Sequence, residues 1–170
     1  MSKKYLIGFT LVELLVTMTI IVMMALVTIP SFNKHQALIE LQNKTDEIKA
    51  DIDEMQIKTM NAGQGVTRYY VKVTAATSGK VEFYNNSSNS PYKTVNLTSS
   101  QTLSKSAGIS GDYLVCDKGK SYCCNVSGAT DACTTADAMN STDFFTIANT
   151  SKTTTFKISA YPFRVITTTN

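Results

Sequence analysis

The sequence predicts an α+β fold, in which a long N-terminal helix packs on a mainly antiparallel β-sheet head. Strongly apolar residues are concentrated between Phe9 and Ile29, and an amphipathic helical pattern follows them. Beyond residue 62 the chain contains β-branched and aromatic segments separated by turns. A helix followed only by strands is typical of this class, and 170 residues suffice for one compact domain with a helical extension.

The first element is the apolar run at residues 9–30, which we expect to form a transmembrane helix. As a helix, Phe9–Ile29 would be about 30 Å long, enough to cross a bilayer core. Lys3 and Lys4 precede the run, so the positive-inside tendency predicts a cytoplasmic N-terminus and a head outside. The run is too long for a secretory signal peptide and, unlike a buried core helix, is apolar on every face. The sequence thus predicts a single-pass protein of the inner membrane.

Glu13 is an acid inside this apolar run. A carboxylate in a spanning helix costs up to roughly 3 kcal/mol at the bilayer centre, so we expect Glu13 to have a partner. The run contains no base, but cleavage after Gly8 would create an α-ammonium group on Phe9, about one helical turn away. That amine would neutralise Glu13 of its own chain or of a neighbour. A plain membrane anchor fits the length of the run but leaves the acid unexplained.

Residues 8–14, GFTLVEL, follow a short basic leader and precede a helix proline, Pro30. This combination resembles the class III signal of type IV prepilins and type II secretion pseudopilins, over residues 1 to about 32. The resemblance implies that a prepilin peptidase cuts between Gly8 and Phe9 and methylates Phe9. It also implies that Glu13 guides subunit docking and that the helix can bend or locally melt at Pro30.

The same resemblance implies a structural subunit, major or minor, of a type IV pilus or a type II secretion-like filament. The implied partners are other pilin subunits, the prepilin peptidase, an inner-membrane assembly platform and, before assembly, membrane lipid. The head would end in an extracellular or periplasmic filament. The chain would have four parts: a leader peptide at 1–8, an assembly helix at 9–30, its amphipathic continuation at 31–62 and a β-rich head at 63–170.

The amphipathic continuation has helical periodicity. Its apolar residues recur at spacings of three, four and seven, at Leu38, Leu41, Ile48, Ile52 and Met55. Such stripes are typical of a helix that packs on its own domain, so we expect this one to pack on the sheet of the head. The helix is predicted to end near residues 61–63, where Gly63 and Gly65 allow conformations that are closed to other residues.

The head is predicted to consist of strands joined by polar loops. Residues 85–91 form a loop rich in Asn and Ser, and Pro162 indicates a bend or an edge position. The predicted strands are Val66–Val73, Val81–Tyr84, Tyr92–Leu97, Tyr113–Cys116, Ser121–Val126, Phe144–Ala148, Thr154–Ala160 and Phe163–Ile166.

All four cysteines, Cys116, Cys123, Cys124 and Cys133, lie in a loop-rich region at 108–143. A polar head beyond a membrane lies in an oxidising compartment, so we expect one or two disulfides. Free thiols and a metal site are the alternatives, although the paired Cys-x-x-Cys arms of structural zinc sites are missing. Adjacent Cys123 and Cys124 are poorly placed to bond with each other, so each is expected to pair with Cys116 or Cys133. The sequence does not choose between these pairings.

No catalytic constellation is visible in the sequence, so we expect neither an enzyme nor a cofactor or metal. The chain has one histidine, His35, and lacks a phosphate-binding loop and a nucleophile elbow. Four acids of the head lack the alternating spacing of a calcium loop, and we interpret them as solvated surface groups. They are Asp112, Asp117, Asp131 and Asp137.

The net charge of +3 gives little electrostatic support for nucleic-acid binding, and removal of a leader holding Lys3 and Lys4 would lower it to +1. Two alternatives to a filament subunit remain. One is a tip minor pilin that captures DNA or a surface, and the other is an unprocessed, monomeric membrane-anchored protein. The cations available for DNA are Lys72, Lys80, Lys93, Lys105, Lys152, Lys157 and Arg164.

Overall fold

The computed structural model describes residues 9–86, 90–107, 109, 111–134, 142–160 and 163–170, with the backbone alone at 27–31 and 160. These residues form one helix and ten strands. Helix α1 spans Leu11–Met60. The strands are β1 Arg68–Thr74, β2 Ala76–Thr77, β3 Lys80–Asn85, β4 Lys93–Asn96, β5 Thr102–Lys105, β6 Tyr113–Asp117, β7 Cys123–Val126, β8 Thr142–Ala148, β9 Thr153–Ala160 and β10 Phe163–Thr169.

The strands form two five-stranded sheets. Sheet one has the order β4-β3-β1-β6-β7, and sheet two has the order β10-β9-β8-β5-β2. Every neighbouring pair of strands is antiparallel. Eight strands lie within about three residues of their predicted positions, whereas the short polar strands β2 and β5 were not predicted.

The predicted α+β class, with one mainly antiparallel sheet beside a long helix, is wrong. Ten strands in two antiparallel sheets make the fold mostly β. The physical reason lies in the strands between residues 142 and 169. Their apolar side chains enter the same core as those of sheet one, so these strands form a second layer instead of extending the first.

The predicted transmembrane helix at residues 9–30 is also wrong. Within the described residues, no helix is both long enough and apolar enough to cross a membrane. α1 begins at Leu11 rather than Phe9, and its apolar side chains are described as far as Leu26. The predicted single-pass localisation in the inner membrane, with the head outside, depended on this helix and is wrong as well.

The chain divides into two compact units, Met1–Gln36 and Ala37–Asn170. The core of the second unit is a single apolar cluster to which α1 and both sheets contribute. Four residues of the predicted α1 stripe are at most 1% exposed, so the prediction that they pack on their own domain is confirmed: Leu41, Ile48, Ile52 and Met55. Leu38 is only partly buried. After α1 ends at Met60, Gly65 adopts a φ of 94°, as its flexibility allows.

A buried ion pair joins α1 to β4. Asp51 is 8% exposed, and its Oδ1 accepts a hydrogen bond from Lys93 Nζ at 2.6 Å. Glu47 Oε1 lies 3.8 Å from the same ammonium group. The hydrogen bond to Asp51 raises the pKa of Lys93, so the lysine remains charged. The side chain of Lys93 is 39% exposed, so Asp51 is the buried member of the pair, and removing Lys93 would leave its carboxylate without compensation. The pair thus fixes α1 against the edge of sheet one.

Tyr92 lies next to this ion pair, and its ring contacts Lys58 in a cation–π arrangement at 5.3 Å. Burial, followed by the negative charge of Glu54, raises the pKa of Tyr92 to about 12 from an ordinary value of 10.0. The native state therefore keeps a proton that the unfolded chain loses above pH 10. The free energy of unfolding must therefore decrease as the pH rises from 10 to about 12.

We expect Tyr92→Phe to flatten this alkaline decrease in stability, because phenylalanine has no proton to lose. The measurement is the free energy of unfolding in urea, at neutral pH and at several values between pH 10 and 12. Neutral pH serves as the control for packing. If the free energy of unfolding of the variant decreased above pH 10 as steeply as that of the wild type, the raised pKa of Tyr92 would not be the cause of the decrease.

The core contact of α1 is tested by Ile52→Ala, with Ile57→Ala as the matched control on the same helix. Ile52 is fully buried and Ile57 is 53% exposed. We expect Ile52→Ala to lower the free energy of unfolding by about 2–5 kcal/mol, because it leaves a cavity. The control should change it by less than about 0.5 kcal/mol. Equal losses, measured by urea denaturation, would show that this face of α1 is not the packed one.

Candidate functional site

The first turn of α1 contains Glu13, one of the two residues singled out for assembly. Thr10 immediately precedes the helix, and its Oγ1 accepts a hydrogen bond from the backbone N–H of Glu13 at 3.3 Å. Thr10 is therefore the N-cap, and Glu13 occupies the third helical position, as in a capping box. A carboxylate here is also favoured by the helix dipole. The local structure thus gives Glu13 a stabilising role that requires no second charge.

The predicted processing site is only partly within the described residues. Gly8 lies outside them, and Phe9 precedes the helix with a side chain that is 78% exposed. Glu13 is exposed and has no ion-pair partner in the part of the chain that the structure describes. The backbone of α1 continues as a helix through Pro30, whose side chain is not described. The roles predicted for Gly8, Phe9, Glu13 and Pro30 remain predictions.

Residues 9–26, hereafter the apolar segment, expose large apolar side chains on every face of the helix. Consecutive residues are rotated by about 100°, so exposure at consecutive positions covers the whole circumference. Exposure ranges from 47% to 81% across these side chains. They are Phe9, Leu11, Val12, Leu14, Leu15, Val16, Met18, Ile20, Ile21, Val22, Met23, Met24 and Leu26. A continuous apolar surface of this kind marks an interaction site.

The hydroxyl groups of the apolar segment are satisfied within the helix. Thr17 Oγ1 donates to the carbonyl oxygen of Leu14 at 2.9 Å, and Thr19 Oγ1 donates to that of Val16 at 2.8 Å. Both threonines can therefore enter an apolar environment without losing hydrogen bonds. Glu13 is the one charged residue of the segment. The segment can be buried on all faces at the cost of desolvating a single carboxylate.

The four cysteines form two disulfides, Cys116–Cys123 and Cys124–Cys133. Cys116 and Cys123 lie directly opposite each other on β6 and β7. Adjacent side chains of a strand point to opposite faces, so Cys123 enters the main core while Cys124 enters a smaller cluster on the other face of sheet one. This is one of the pairings that the sequence left open. Among the described residues, no group of His, Cys, Asp or Glu is placed to hold a metal ion.

Arg68 anchors the loop at residues 127–134. Its Nε pairs with Asp117 Oδ1 at 2.9 Å, and both side chains are only 16% exposed. Its Nη1 donates to the carbonyl oxygens of Ala129 at 2.8 Å and Asp131 at 3.0 Å. Together with the second disulfide, these contacts hold the loop over the smaller apolar cluster. The role of these contacts is structural, since they hold the loop in place.

The four acids considered for calcium have structural roles where they are described. Asp112 pairs with Lys105 at 2.6 Å, and Asp117 pairs with Arg68. Asp131 Oδ2 accepts a hydrogen bond from the N–H of Gly128 at 2.7 Å, which closes a turn. Asp137 lies outside the described residues.

Most of the cations considered for nucleic-acid contact lie beside acids or an aromatic ring. A neighbouring carboxylate lowers the positive potential that would attract a phosphate. The ion pairs are Lys80–Glu82 at 2.8 Å, Lys93–Asp51 at 2.6 Å, Lys105–Asp112 at 2.6 Å and Lys157–Asp143 at 3.4 Å. Lys72 lies over the ring of Tyr113 at 5.8 Å. Four of these seven cations are thus paired with carboxylates.

Sequence reasoning missed two functional contacts for different reasons. The sequence contains the Thr-x-x-Glu pattern of a capping box at residues 10–13. This pattern could have predicted the N-cap, but Glu13 was interpreted only as a charge within an apolar run. Arg68 had no such signal, because its partners lie between 49 and 63 residues further along the chain.

No family model, curated protein or solved structure matches this chain. The chemistry of its own residues therefore carries the functional interpretation. Of the features described above, the apolar segment is the one whose large apolar side chains are exposed to water in the isolated chain.

The role of Arg68 is tested by Arg68→Ala, with Lys118→Ala as the matched control. Lys118 Nζ is an exposed donor to a single carbonyl, that of Gly63. We expect Arg68→Ala to lower the free energy of unfolding by about 2–3 kcal/mol, because it removes the charged hydrogen bond to Asp117 and two more to loop carbonyls, and leaves Asp117 only its contact with Lys120 at 3.2 Å. Amide hydrogen exchange should also become faster across residues 127–134. Equal effects of the two variants would contradict an anchoring role.

Proposed function

We propose that this protein is a structural subunit, major or minor, of a pilus-like or secretion-like filament. Subunits assemble by burying the apolar segment against the same segment of other copies. The observation that carries the proposal is the exposure of large apolar side chains around the full circumference of α1 between residues 9 and 26. A second copy offers a surface of the same chemistry, and identical helices can repeat the contact without closing it.

The apolar area available for burial supports assembly through the apolar segment on energetic grounds. Full burial of one large aliphatic or aromatic side chain contributes about 1.5–3 kcal/mol. Association costs an estimated 4–15 kcal/mol in lost translational and rotational freedom. Burying a few of the exposed side chains therefore offsets this cost. The internally bonded hydroxyls of Thr17 and Thr19 add no desolvation penalty.

Glu13 then gives the assembly its register. A carboxylate inside an apolar bundle is tolerated where an opposite charge meets it, and displaced registers leave it unpaired. Cleavage between Gly8 and Phe9 by a prepilin peptidase, with methylation of Phe9, supplies such a charge as a new terminal amine. The partners of this protein are accordingly other subunits of the filament, the peptidase and an assembly platform.

The alternative of a tip subunit that binds DNA has less support. Four of the seven cations of the head that would contact phosphates are paired with carboxylates. Weak, salt-sensitive binding to DNA by the intact protein would favour that alternative.

The role of Glu13 is tested by Glu13→Ala and the isosteric Glu13→Gln, with Glu40→Gln as a control elsewhere on α1. We expect both Glu13 variants to be cleaved normally and to enter filaments at least about ten-fold less than the wild type, since neither supplies a charge to fix the register. The measurement is the amount of subunit in sheared filaments relative to the total. Normal incorporation of Glu13→Ala would contradict the proposed role.

Processing is tested by the intact mass of the protein purified from its own cells. We expect a chain that begins at N-methylated Phe9, because removal of residues 1–8 creates the amine that pairs with Glu13. Gly8→Val is the control and should leave residues 1–8 attached. A wild-type chain that still begins at Met1 would contradict processing at this bond.

A further inference from the structure

The edge strands of the two sheets differ markedly in length. Three edges are short: β2 has two residues, while β4 and β7 have four each. β10, at the edge of sheet two, has seven residues, and its sequence FRVITTT contains one charge and no proline. Proteins commonly protect their edges by keeping them short or charged, so a long edge rich in β-branched residues is suited to pairing with another strand.

The hydrogen bonds of the hairpin show which backbone groups of β10 face outward. Thr153 and Asn170 exchange two backbone hydrogen bonds, at 3.1 and 2.9 Å. In an antiparallel pair such bonds recur at every second residue, so the even-numbered residues of β10 bond to β9. The N–H and C=O groups of the odd-numbered residues therefore point away from β9, towards the free edge. These residues are Phe163, Val165, Thr167 and Thr169.

Open space lies along this edge. A cavity of about 480 Å³ is bounded by residues 163–167 of β10 and by Lys49 and Asp53 of α1. A second cavity, of about 270 Å³, continues past Thr167 and Thr169 beside residues 42–46. Thr167 lines both cavities. Open space therefore lies between α1 and β10 along this edge.

We propose that β10 pairs antiparallel with β10 of a second copy of this chain. In the self-complementary register, Ile166 faces its own counterpart, Val165 faces Thr167, and Arg164 faces Thr168. Ile166 is 41% exposed, and within the described part of sheet two it is the one large apolar side chain with such exposure. In this register, Ile166 of each copy covers Ile166 of the other, and no like charges lie opposite each other.

The side chains that would enter the two cavities also fit a second copy. They belong to the odd-numbered residues of the partner strand, and all four are uncharged. The partner strand therefore brings no charge of its own into the two cavities. The pairing adds about eight backbone hydrogen bonds.

One strand pair buries less surface than the roughly 1,200 Å² of a stable interface, so it acts where copies are already concentrated. This consequence rests on the proposed function, because a filament concentrates its subunits. A two-fold contact cannot connect successive subunits of a head-to-tail filament. The β10 contact would instead link subunits of two filaments that lie side by side.

The register is tested by cysteine cross-linking of the purified full-length chain in concentrated solution. Among the described residues no cysteine is free, so an introduced thiol is the reactive one. Ile166→Cys places two thiols opposite each other across the two-fold axis, whereas Thr168→Cys places them about 13 Å apart along the strands. We expect mild oxidation to give at least about ten-fold more covalent dimer with Ile166→Cys. Equal yields from the two variants, or no dimer from either, would overturn the proposal.

The role of the outward backbone is tested by adding Thr167→Pro to Ile166→Cys, with Thr167→Val as the control. Proline removes an N–H group that faces the free edge and leaves the bonds to β9 in place. We expect Thr167→Pro to abolish the cross-link and Thr167→Val to retain it, with circular dichroism confirming the fold of both. A cross-link that survives Thr167→Pro would overturn strand pairing. Cross-linking in the Glu13→Ala background, in solutions concentrated enough to replace the crowding of a filament, should persist even where assembly fails, which separates this contact from the proposed function.

Discussion

The exposure of the apolar segment is the constraint on which the functional account depends. A folded head with a complete core of its own has no need of residues 9–26 for stability, and their side chains remain in contact with water on every face. Such a surface is costly to keep exposed and has to be met by another apolar surface. Satisfied threonine hydroxyls and a capped first turn make the segment ready for burial without further rearrangement.

The head is stabilised in a different way from the segment. Its core combines one face of α1 with both sheets, while the Cys124–Cys133 disulfide and the contacts of Arg68 fix the loop on the other face of sheet one. Since Cys123 and Cys124 point to opposite faces of one strand, the two bridges serve different clusters. A rigid head of this kind can present edges such as β10 without depending on the state of the apolar segment.

Local patterns explain how much of this structure the sequence could predict. The α1 stripe and eight strands follow from periodicity and β-branched composition, which act over a few residues. The second sheet could not be predicted in the same way, because it depends on which apolar faces share a core across the whole head. Arg68 likewise acts on partners more than forty residues away. The length of an apolar run suggested a membrane helix, but no helix of the described residues is both long enough and apolar enough to cross a membrane.

The most direct test of the central claim is the reactivity of methionine side chains towards a water-soluble oxidant, before and after assembly. Met18, Met23 and Met24 lie in the apolar segment and are at least 60% exposed in the free chain. Met60, the last residue of α1, is 50% exposed and serves as an internal reference. The account predicts that assembly strongly protects the three segment methionines, whereas Met60 remains reactive. Undiminished oxidation of all four in assembled material would contradict burial of the apolar segment between subunits.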